Sequence, residues 1–422
     1  MDMNMNIING RVWINGNLEK TCISINNGKI SRLTDQENIQ EADETIDAKE
    51  NIVFPGFVDV HAHLRDSKFS YKEDFSSGTK AAVAGGFTTV LDMPNTNPPI
   101  TNVEELNSRQ KLARNNICCN VGFYCSPINA NDINELKIAN AIGYKIYLHK
   151  PFEGQDLSDK NLIKIMKNIR ENNGILAIHA ENHELFDGIV HTIESEIQAI
   201  KRIIDLAKIT ECKIHFVHVS TKEGLDTIKK NKIDLDVSCE ATPHHTILNT
   251  NDIESTRYYC EPPLRDKENQ ESILNSIIKG EIDMMATDHA PHSVQDKKEG
   301  KPGFSGLEIT VPVMIDLYKR DKITLERIYE ILVWNPIRRF GLKNIGRIKE
   351  GYNADLVIID ENKEQIINVN KFFSKGKDSP FNGMRLTGSI TKTIVNGKIV
   401  FDGKDIIHSN MGNILQNQVD FQ

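Results

Sequence analysis

Residues 55–65 read Pro55-Gly56-Phe57-Val58-Asp59-Val60-His61-Ala62-His63-Leu64-Arg65, an apolar run that ends in two histidines and an arginine. The apolar part is typical of a buried strand that delivers polar groups at its end. An extended strand places residues i and i+2 on the same face, so His61 and His63 can reach one metal ion. Because a lone His-x-His pair also occurs by accident on surfaces and in cores, the rest of the chain must decide its meaning.

Short apolar or β-branched runs recur along the chain and alternate with stretches of helical character. The runs cover residues 57–63, 88–94, 120–126, 143–148, 175–181, 213–219, 234–240 and 283–288. The helical stretches include residues 103–115, 132–141, 159–173, 193–210 and 268–279. Eight strands that alternate with helices predict an α/β fold, a (β/α)8 TIM barrel, whose active-site residues lie at the C-terminal ends of the strands.

The residues at or near the predicted strand ends are rich in metal-binding and acid–base groups. In strand order they are His61, His63 and Arg65, then Asp92 and Asn95, Lys145, His179 and Glu181, His218, Glu240, and finally Asp288 and His292. A barrel would bring all of them to one rim. Packing alone does not explain such a set, so the sequence predicts a catalytic site there.

The two ends of the chain differ from the middle. Residues 6–56 and 346–403 have the pattern of short strands, with Asn-Gly turns at 9–10, 15–16 and 27–28. Neither segment alone would bury enough surface to be stable. We therefore predict a small β-sandwich built from both termini, with domain ranges 1–56, 57–345 and 346–422. The alternative is two independent flaps on the barrel.

Composition narrows the class of protein. The 422 residues carry a formal charge of −8, which argues against a nucleic-acid surface. No apolar run approaches the roughly 18 residues of a membrane span, and the first residues lack the features of a signal peptide. The seven cysteines form no Cys-x-x-Cys pair, which favours reduced thiols in a cytoplasmic enzyme.

Eight motifs are spread over nearly the whole chain. They lie at residues 59–65, 81–89, 92–99, 144–148, 179–181, 217–220, 239–245 and 286–292. The most specific are Met93-Pro94-Asn95-Thr96 and Ala286-Thr287-Asp288-His289-Ala290-Pro291-His292. In these motifs the chain resembles the dihydroorotases of the amidohydrolase superfamily. The resemblance implies a metal-dependent hydrolase that interconverts (S)-dihydroorotate and N-carbamoyl-L-aspartate in de novo pyrimidine (UMP) synthesis.

Hydrolysis of a cyclic amide explains the need for metal. The amide is a poor electrophile and water is a poor nucleophile, but a divalent ion lowers the pKa of bound water to about 7 and polarises the carbonyl. We expect His61 and His63 to hold one ion and His179 and His218 the other, with a hydroxide bridging the two. Zn²⁺ is the expected metal, although the same nitrogen and oxygen ligands also accept manganese or cobalt.

Lys145 and Asp288 complete the expected metal site. A protonated lysine cannot bind metal, so Lys145 by itself would be a salt-bridge or substrate group. The resemblance implies instead that Lys145 reacts with CO₂ and that its carbamate bridges the two ions. Asp288 is expected to bind metal and to carry the proton from the attacking water to the leaving nitrogen. Its alternative role is that of a simple metal ligand.

Three further residues are expected to bind the substrate. The resemblance implies that Arg65, Asn95 and His292 hold the carboxylate of dihydroorotate, and a guanidinium suits that task. The alternatives are a salt bridge from Arg65 to Asp66 or Glu73 at the rim and a turn-capping role for Asn95.

The chain departs from its relatives at several positions. Val217 stands where some relatives carry a cysteine that helps to bind an extra metal, so we expect Glu240 to orient a histidine ligand instead. Glu261 replaces an asparagine or arginine, and we expect it to point away from an anionic substrate or to use its backbone. His149 and His215 are expected to be structural or exposed, with strand parity directing His215 outward.

Other functions and partners stay open. Allantoinase and dihydropyrimidinase are the nearest rivals, although their substrates lack the carboxylate that Arg65 and Asn95 would bind. An inactive scaffold for aspartate transcarbamoylase is a rival of another class. Since relatives are commonly dimeric, a homodimer and an association with aspartate transcarbamoylase are open partner predictions. No nucleic-acid or membrane partner is expected.

Overall fold

The structure is a computed structural model that describes residues 4–253 and 258–416. Its strands are β1 (Met5–Ile14), β2 (Asn17–Asn26), β3 (Lys29–Thr34), β4 (Glu44–Asp47), β5 (Ile52–Pro55), β6 (Phe57–Ala62), β7 (Phe87–Asp92), β8 (Asn120–Cys125), β9 (Ala141–Tyr147), β10 (Ile175–His179), β11 (Lys213–Phe216), β12 (Val237–Ala241), β13 (Met284–Met285), β14 (Leu356–Ile366), β15 (Arg385–Val395) and β16 (Lys398–Phe401).

The α-helices fill most of the connections between the strands. They are α1 (Phe75–Ala84), α2 (Val103–Ala113), α3 (Asp132–Ile138), α4 (Asp159–Glu171), α5 (Ile193–Thr210), α6 (Lys222–Asn231), α7 (Pro243–Ile247), α8 (Lys267–Ile278), α9 (Val294–Lys298), α10 (Thr310–Lys319), α11 (Leu325–Tyr329) and α12 (Asn335–Phe340). A π-helical turn spans Glu330–Trp334 between the last two. Within the described ranges, none of the helices combines the length and apolar character needed to cross a membrane.

Strands β6 to β13 form the barrel. Each is hydrogen-bonded to the next in chain order, and every pair is parallel. A bridge between Ala62 and His289 joins the first strand to the segment after the last. This barrel confirms the predicted fold, and it places the C-terminal ends of all eight strands at one mouth.

Helix α5 illustrates why the helical segments of the sequence pack around the outside of the barrel. Thr192 caps the helix, since its side chain accepts a hydrogen bond from the backbone N–H of Ser195. Ile200, Ile203 and Ile204 recur at helical spacing and are buried against the barrel. The helix spans residues 193–210, as the sequence predicts.

Two predicted elements end earlier than expected, each for a backbone reason. Helix α3 ends at Ile138 rather than at residue 141, because Asn140 has a φ of 69° and strand β9 begins directly after it. Strand β13 spans only Met284 and Met285. Asp288 has a φ of 44°, which no extended strand contains, so the predicted strand cannot reach residue 288.

The remaining eight strands form the second domain. Their order is β16-β15-β14-β5-β1-β2-β3, and β4 also pairs with β1. Strand β5 from the N-terminal segment pairs antiparallel with β14 from the C-terminal segment, with Phe54 opposite Val357. One sheet therefore unites both ends of the chain around its own apolar core, which includes Ile7, Ile23 and Ile394. This confirms a β domain made from both termini.

The C-terminal segment returns to the barrel. Ile414 forms a bridge with Val121 at the start of β8, and Gly412 donates a hydrogen bond to the carbonyl of Ile117. The predicted domain boundaries at residues 56 and 345 stay predictions, and the expected domain ends at 1–3 and 417–422 lie outside the described residues.

Candidate active site

Four imidazoles converge at the barrel mouth. His61 lies in β6, one residue before its end, and His63 directly follows the strand, whereas His179 ends β10 and His218 lies two residues beyond β11. The ring centroids of His61 and His63 are 5.3 Å apart, those of His61 and His218 are 5.3 Å apart, and those of His179 and His218 are 4.5 Å apart. The structure thus brings together all four histidines predicted as ligands.

Asp288 closes this group from the end of the barrel. Its Oδ1 lies 3.4 Å from Nε2 of His61 and 3.2 Å from Nε2 of His63. Burial by itself would raise the pKa of Asp288, but the two histidine rings outweigh it and hold the pKa below its usual value. Asp288 is therefore a carboxylate at neutral pH, able to bind a cation or to accept a proton.

Neighbouring side chains fix the orientation of three of the rings. Nδ1 of His61 donates to Oε1 of Glu240 at 2.5 Å, and Nδ1 of His63 donates to Oδ1 of Asn95 at 2.6 Å. Nε2 of His179 donates to Oε2 of Glu181 at 2.6 Å. Since one nitrogen of each ring is occupied, Nε2 of His61, Nε2 of His63 and Nδ1 of His179 are left for a metal ion.

Two of these rings, those of His63 and His179, are also in the protonation state that binds metal. Burial lowers the pKa of His63 to about 4 and that of His179 to about 3. Both are therefore neutral near pH 7, and a neutral imidazole offers a lone pair to a cation.

Lys145 lies in β9 and is fully buried. Within the described residues, its Nζ has no hydrogen-bond partner. Burial lowers the pKa of Lys145 to about 7, although the carboxylates of Glu240 and Asp288 oppose the shift. An unpartnered buried amine with this pKa is partly uncharged at neutral pH, which is the form that reacts with CO₂.

Glu240 holds the site together from β12. Its Oε1 also accepts from the backbone N–H of His218 at 3.2 Å, and its Oε2 accepts from Nε2 of His215 at 2.9 Å. The contact with His61 agrees with the expectation that Glu240 orients a histidine. The expectation that His215 points outward is wrong, because its ring is fully buried and contacts Glu240, which agrees with the expected structural role. Strand β11 ends at Phe216, so strand parity does not extend to His218.

The predicted carboxylate-binding residues lie beside this cluster. Nη2 of Arg65 is 3.3 Å from Nε2 of His292, and Asn95 contacts His63 as described above. Arg65 forms no salt bridge with Asp66 or Glu73 among the described residues, so the structure does not support that alternative. Lys72, which the sequence did not indicate, lies 3.3 Å from Nδ1 of His292.

Two further expectations are wrong. The ring of His149 is 4.0 Å from that of His179 and lines the same cavity, so His149 is part of the site. Glu261 also lines the cavity, with its carboxylate 3.6 Å from Nε2 of His149 and 3.8 Å from Nε2 of His191. The carboxylate of Glu261 therefore lies beside two imidazole rings at the cavity wall.

A cavity of about 700 Å³ opens over these groups. The walls include His61, His63, Arg65, Asn95, His179, His218, Asp288 and His292. The predicted metal ligands and the predicted carboxylate-binding residues thus share one space, large enough for a small ring.

A second cluster of histidine and cysteine side chains differs from the barrel mouth, because hydrogen bonds already occupy one of its imidazoles. His244, His245 and Cys260 lie close together and are buried. His245 uses both ring nitrogens, one with Oγ1 of Thr242 at 2.8 Å and one with the carbonyl of Pro262 at 3.0 Å. These bonds would have to break before His245 could bind an ion, so the barrel mouth is the better metal site.

Comparison with known proteins agrees with this geometry. Residues 52–400 match the amidohydrolase family. A dihydroorotase from Pyrococcus furiosus is 34% identical over 413 residues, covering 96% of this chain and 95% of that protein. A dihydroorotase from Clostridium botulinum is 35% identical over 388 residues, covering 90% of this chain and 94% of that protein.

A solved structure shares the same architecture. The L-hydantoinase (dihydropyrimidinase) from Arthrobacter aurescens has a TM-score of 0.93 and 27% sequence identity, covering 98% of this chain and 100% of that chain. Sequence identity is higher with the dihydroorotases than with this hydantoinase. The chain therefore belongs to the amidohydrolase family and, within it, to the dihydroorotases, which are metal-dependent cyclic amidohydrolases.

Proposed function

We propose that this enzyme catalyses the reversible hydrolysis of (S)-dihydroorotate to N-carbamoyl-L-aspartate in de novo pyrimidine (UMP) synthesis. One observation supports the proposal most directly: Arg65 lines the cavity that holds the predicted metal ligands, and its buried Nε has no hydrogen-bond partner among the described residues. Dihydroorotate carries a carboxylate outside its ring, which a guanidinium would bind. A substrate without a carboxylate would leave this buried donor unpaired, at a cost in binding free energy.

We propose that two divalent ions, most favourably Zn²⁺, occupy the mouth of the barrel. The ligands would be His61, His63, His179, His218, Asp288 and a CO₂-derived carbamate on Lys145. Neutral imidazoles and a carboxylate are ligands that Zn²⁺ accepts, and the unpartnered Nζ of Lys145 fits a modification that would give it a role. When bound, the ions would lower the pKa of a water molecule and polarise the substrate carbonyl.

The side chains of the chain itself account for binding and proton transfer. Arg65, Asn95 and His292 would hold the carboxylate and so place the ring amide beside Asp288. Asp288 starts as a carboxylate, takes a proton from the attacking water and passes it to the ring nitrogen as the carbon–nitrogen bond breaks. Reversal of the same proton transfer closes the ring.

A ring-opening assay tests the function. Purified enzyme with Zn²⁺ and bicarbonate is given dihydroorotate, dihydrouracil, hydantoin or allantoin. We expect kcat/KM for dihydroorotate to exceed the others by at least about 10³-fold, because only this substrate satisfies the buried donor. A preference for any of the other three would overturn the proposal.

Dihydropyrimidinase is the second candidate, and the TM-score of 0.93 to the Arthrobacter hydantoinase favours it. The assay above separates the two. A protein that folds, binds ions and opens none of the four rings would instead favour the inactive scaffold for aspartate transcarbamoylase.

We also propose a cytoplasmic location, supported by the cysteines. All seven lie within the described residues, and each is buried and outside any disulfide. A homodimer and a complex with aspartate transcarbamoylase are proposals from the resemblance alone. Light scattering after gel filtration, with and without the transcarbamoylase, tests both.

A further inference from the structure

Glu73 is a fully buried carboxylate that the proposed mechanism does not use. It lies just before α1 and does not line the cavity that contains Asp288. Its Oε2 is 3.3 Å from Nε2 of His289, the residue that follows Asp288 in the chain. Burial of a carboxylate costs free energy unless its oxygens are paired, so the partners of Glu73 indicate what it does.

The ring of His289 is fixed at both nitrogens. Its Nδ1 accepts hydrogen bonds from the backbone N–H of Gly306 at 3.2 Å and of Leu307 at 3.4 Å. A backbone N–H can only donate, so Nδ1 carries the lone pair and Nε2 carries the proton. Nε2 of His289 therefore donates to Glu73, and every contact of the ring pairs a donor with an acceptor.

The backbone on both sides of Asp288 is anchored to buried groups. The N–H of His289 donates to Oγ1 of Thr287 at 2.9 Å, and the carbonyl of His289 accepts from the N–H of His63 at 2.8 Å. Thr287 in turn donates its N–H and its hydroxyl to Asp59, at 3.0 Å and 2.6 Å. Two buried carboxylates, Asp59 and Glu73, thus hold the residues before and after Asp288.

Asp288 needs this anchoring because its own backbone is strained. Its φ of 44° lies in the left-handed region, which persists in a residue other than glycine only where the surroundings enforce it. The same turn places Oδ1 of Asp288 3.2 Å from Nε2 of His63. If His289 were released, the turn could relax and the Asp288 carboxylate would move.

The terminal β domain holds Glu73 in place. Ser374, in the connection between β14 and β15, donates from its hydroxyl to Oε2 of Glu73 at 2.5 Å. The backbone N–H of Lys375 lies 3.2 Å from Oε1, which also accepts from the hydroxyl of Ser77 in α1. Glu73 therefore joins the terminal domain to the residue next to Asp288.

We propose that Glu73 is a positioning residue for Asp288. It fixes the ring of His289 and so holds the strained turn that directs the Asp288 carboxylate, while Ser374 of the terminal domain keeps Glu73 in place. The proposal rests on the proposed function, in which Asp288 carries the proton. It gives the terminal domain a part in catalysis, although neither Glu73 nor Ser374 needs to touch the substrate.

Proton NMR of the Zn²⁺-loaded enzyme reads the contact between His289 and Glu73 without turnover. The Nε2–H signal is assigned by its loss in His289→Gln. In wild type we expect this signal far downfield and slow to exchange with solvent, because a buried imidazole donates to a carboxylate. In Glu73→Gln it should move upfield and exchange faster. A wild type without a protected Nε2–H signal, or the same signal in Glu73→Gln, would overturn the proposal.

Kinetics give the second readout. Glu73→Gln should lower kcat for dihydroorotate about 10- to 100-fold and leave KM within about threefold, because a misplaced catalytic group slows the reaction more than it weakens binding. Glu104→Gln, exposed on α2, should change neither constant. Metal analysis should find the same ion content in both variants as in wild type. An unchanged kcat, or a loss of ions that accounts for the lost activity, would contradict the positioning role.

Ser374→Ala keeps the test decisive if Glu73→Gln does not fold. This variant removes one donor to Glu73 and leaves the carboxylate, so kcat should fall about 3- to 10-fold with KM unchanged. The Nε2–H signal of His289 should shift in the same direction as in Glu73→Gln. Ser108→Ala, exposed on α2, is the matched control. Wild-type kcat and an unshifted signal in Ser374→Ala would overturn the part assigned to the terminal domain.

The two readouts separate this inference from the proposed function. If wild type does not open dihydroorotate, the proposed function fails, and the NMR signals still decide whether Glu73 fixes His289. If wild type is active and kcat does not depend on Glu73, only the inference about Glu73 fails.

Discussion

Three residues of the site have a positive φ angle, a backbone conformation that few residues other than glycine adopt. Arg65 has a φ of 53°, His218 a φ of 36° and Asp288 a φ of 44°. Side chains in this left-handed region cost free energy, and such residues concentrate at functional sites. The sequence gives no sign of these conformations, since none of the three is a glycine or asparagine. These backbone conformations turn the chain near the strand ends. They direct the guanidinium of Arg65, the imidazole of His218 and the carboxylate of Asp288 into one cavity.

Asp288→Asn tests proton transfer at the level of one atom. The amide keeps the shape but cannot take a proton, so we expect kcat to fall about 10²- to 10⁴-fold with a smaller change in KM. Metal analysis of the variant is the control, because Asp288 is also a proposed ligand. A variant that keeps its ions and loses less than tenfold in kcat would show that another group carries the proton.

Arg65→Lys tests carboxylate recognition. Lysine keeps the charge but loses the planar fork, so KM for dihydroorotate should rise about 10- to 100-fold. The same exchange at Arg32, which is exposed on β3, serves as the matched control and should have no effect. Equal KM values for wild type and Arg65→Lys would exclude a guanidinium-specific contact.

At the level of elements, β12 connects two halves of the site. Glu240 on this strand contacts His61 near the end of β6 and the backbone N–H of His218 after β11, and its second oxygen accepts a hydrogen bond from His215. One carboxylate thereby sets the position of a ligand for each proposed ion. Its full burial and its three partners make the arrangement rigid.

Glu240→Gln should weaken metal binding by about 10- to 100-fold, because a neutral amide orients the His61 ring less firmly. Competition with a chromogenic chelator measures the affinity. Glu223→Gln, on the exposed face of α6, provides a control of the same chemistry. Unchanged affinity in Glu240→Gln would mean that the ring is held by packing alone.

At the level of the whole molecule, a buried polar cluster links the two domains. Asp355 accepts hydrogen bonds from the backbone N–H of Asn396 at 2.7 Å and from Nδ2 of Asn120 in β8 at 3.0 Å. Oδ1 of Asn120 accepts in turn from the backbone N–H of Asn413 at 3.0 Å. The barrel, the terminal sheet and the C-terminal segment therefore meet at one carboxylate.

This cluster predicts a pH effect on stability. Burial raises the pKa of Asp355 to about 6 from an ordinary 3.8, so the folded state binds its proton more tightly than the unfolded state does. The stabilisation of the folded state by the protonated Asp355 is therefore full below pH 4 and is lost as pH rises through 6. Between pH 4 and pH 7 the free energy of unfolding of wild type, relative to Asp355→Asn, should fall by on the order of 3 kcal/mol.

Urea titrations at the two pH values, with chelator in every sample, measure this difference. Asp43→Asn changes an exposed carboxylate of the same domain and should show no comparable pH dependence. An offset between wild type and Asp355→Asn that is equal at both pH values would contradict the raised pKa.

Much of this architecture is predictable from the sequence, for physical reasons. Strand and helix periodicity places the barrel elements, and ligand-type residues at strand ends place His61, His63, His179, His218 and Asp288. The failures occur where tertiary contacts override local patterns. The outward direction predicted for His215 is wrong because β11 ends at Phe216, so strand parity does not relate His215 to His218. His149 and Glu261 join the site through loops. Lys72 was missed because only the fold brings it to His292, more than 200 positions away.

Anomalous diffraction at the zinc edge, from crystals grown with Zn²⁺ and bicarbonate, tests the central claim most directly. We expect two peaks at the barrel mouth, one beside His61 and His63 and one beside His179 and His218, with continuous density extending Nζ of Lys145 between them. Absence of peaks, or peaks outside this set of ligands with an unmodified Lys145, would contradict the account.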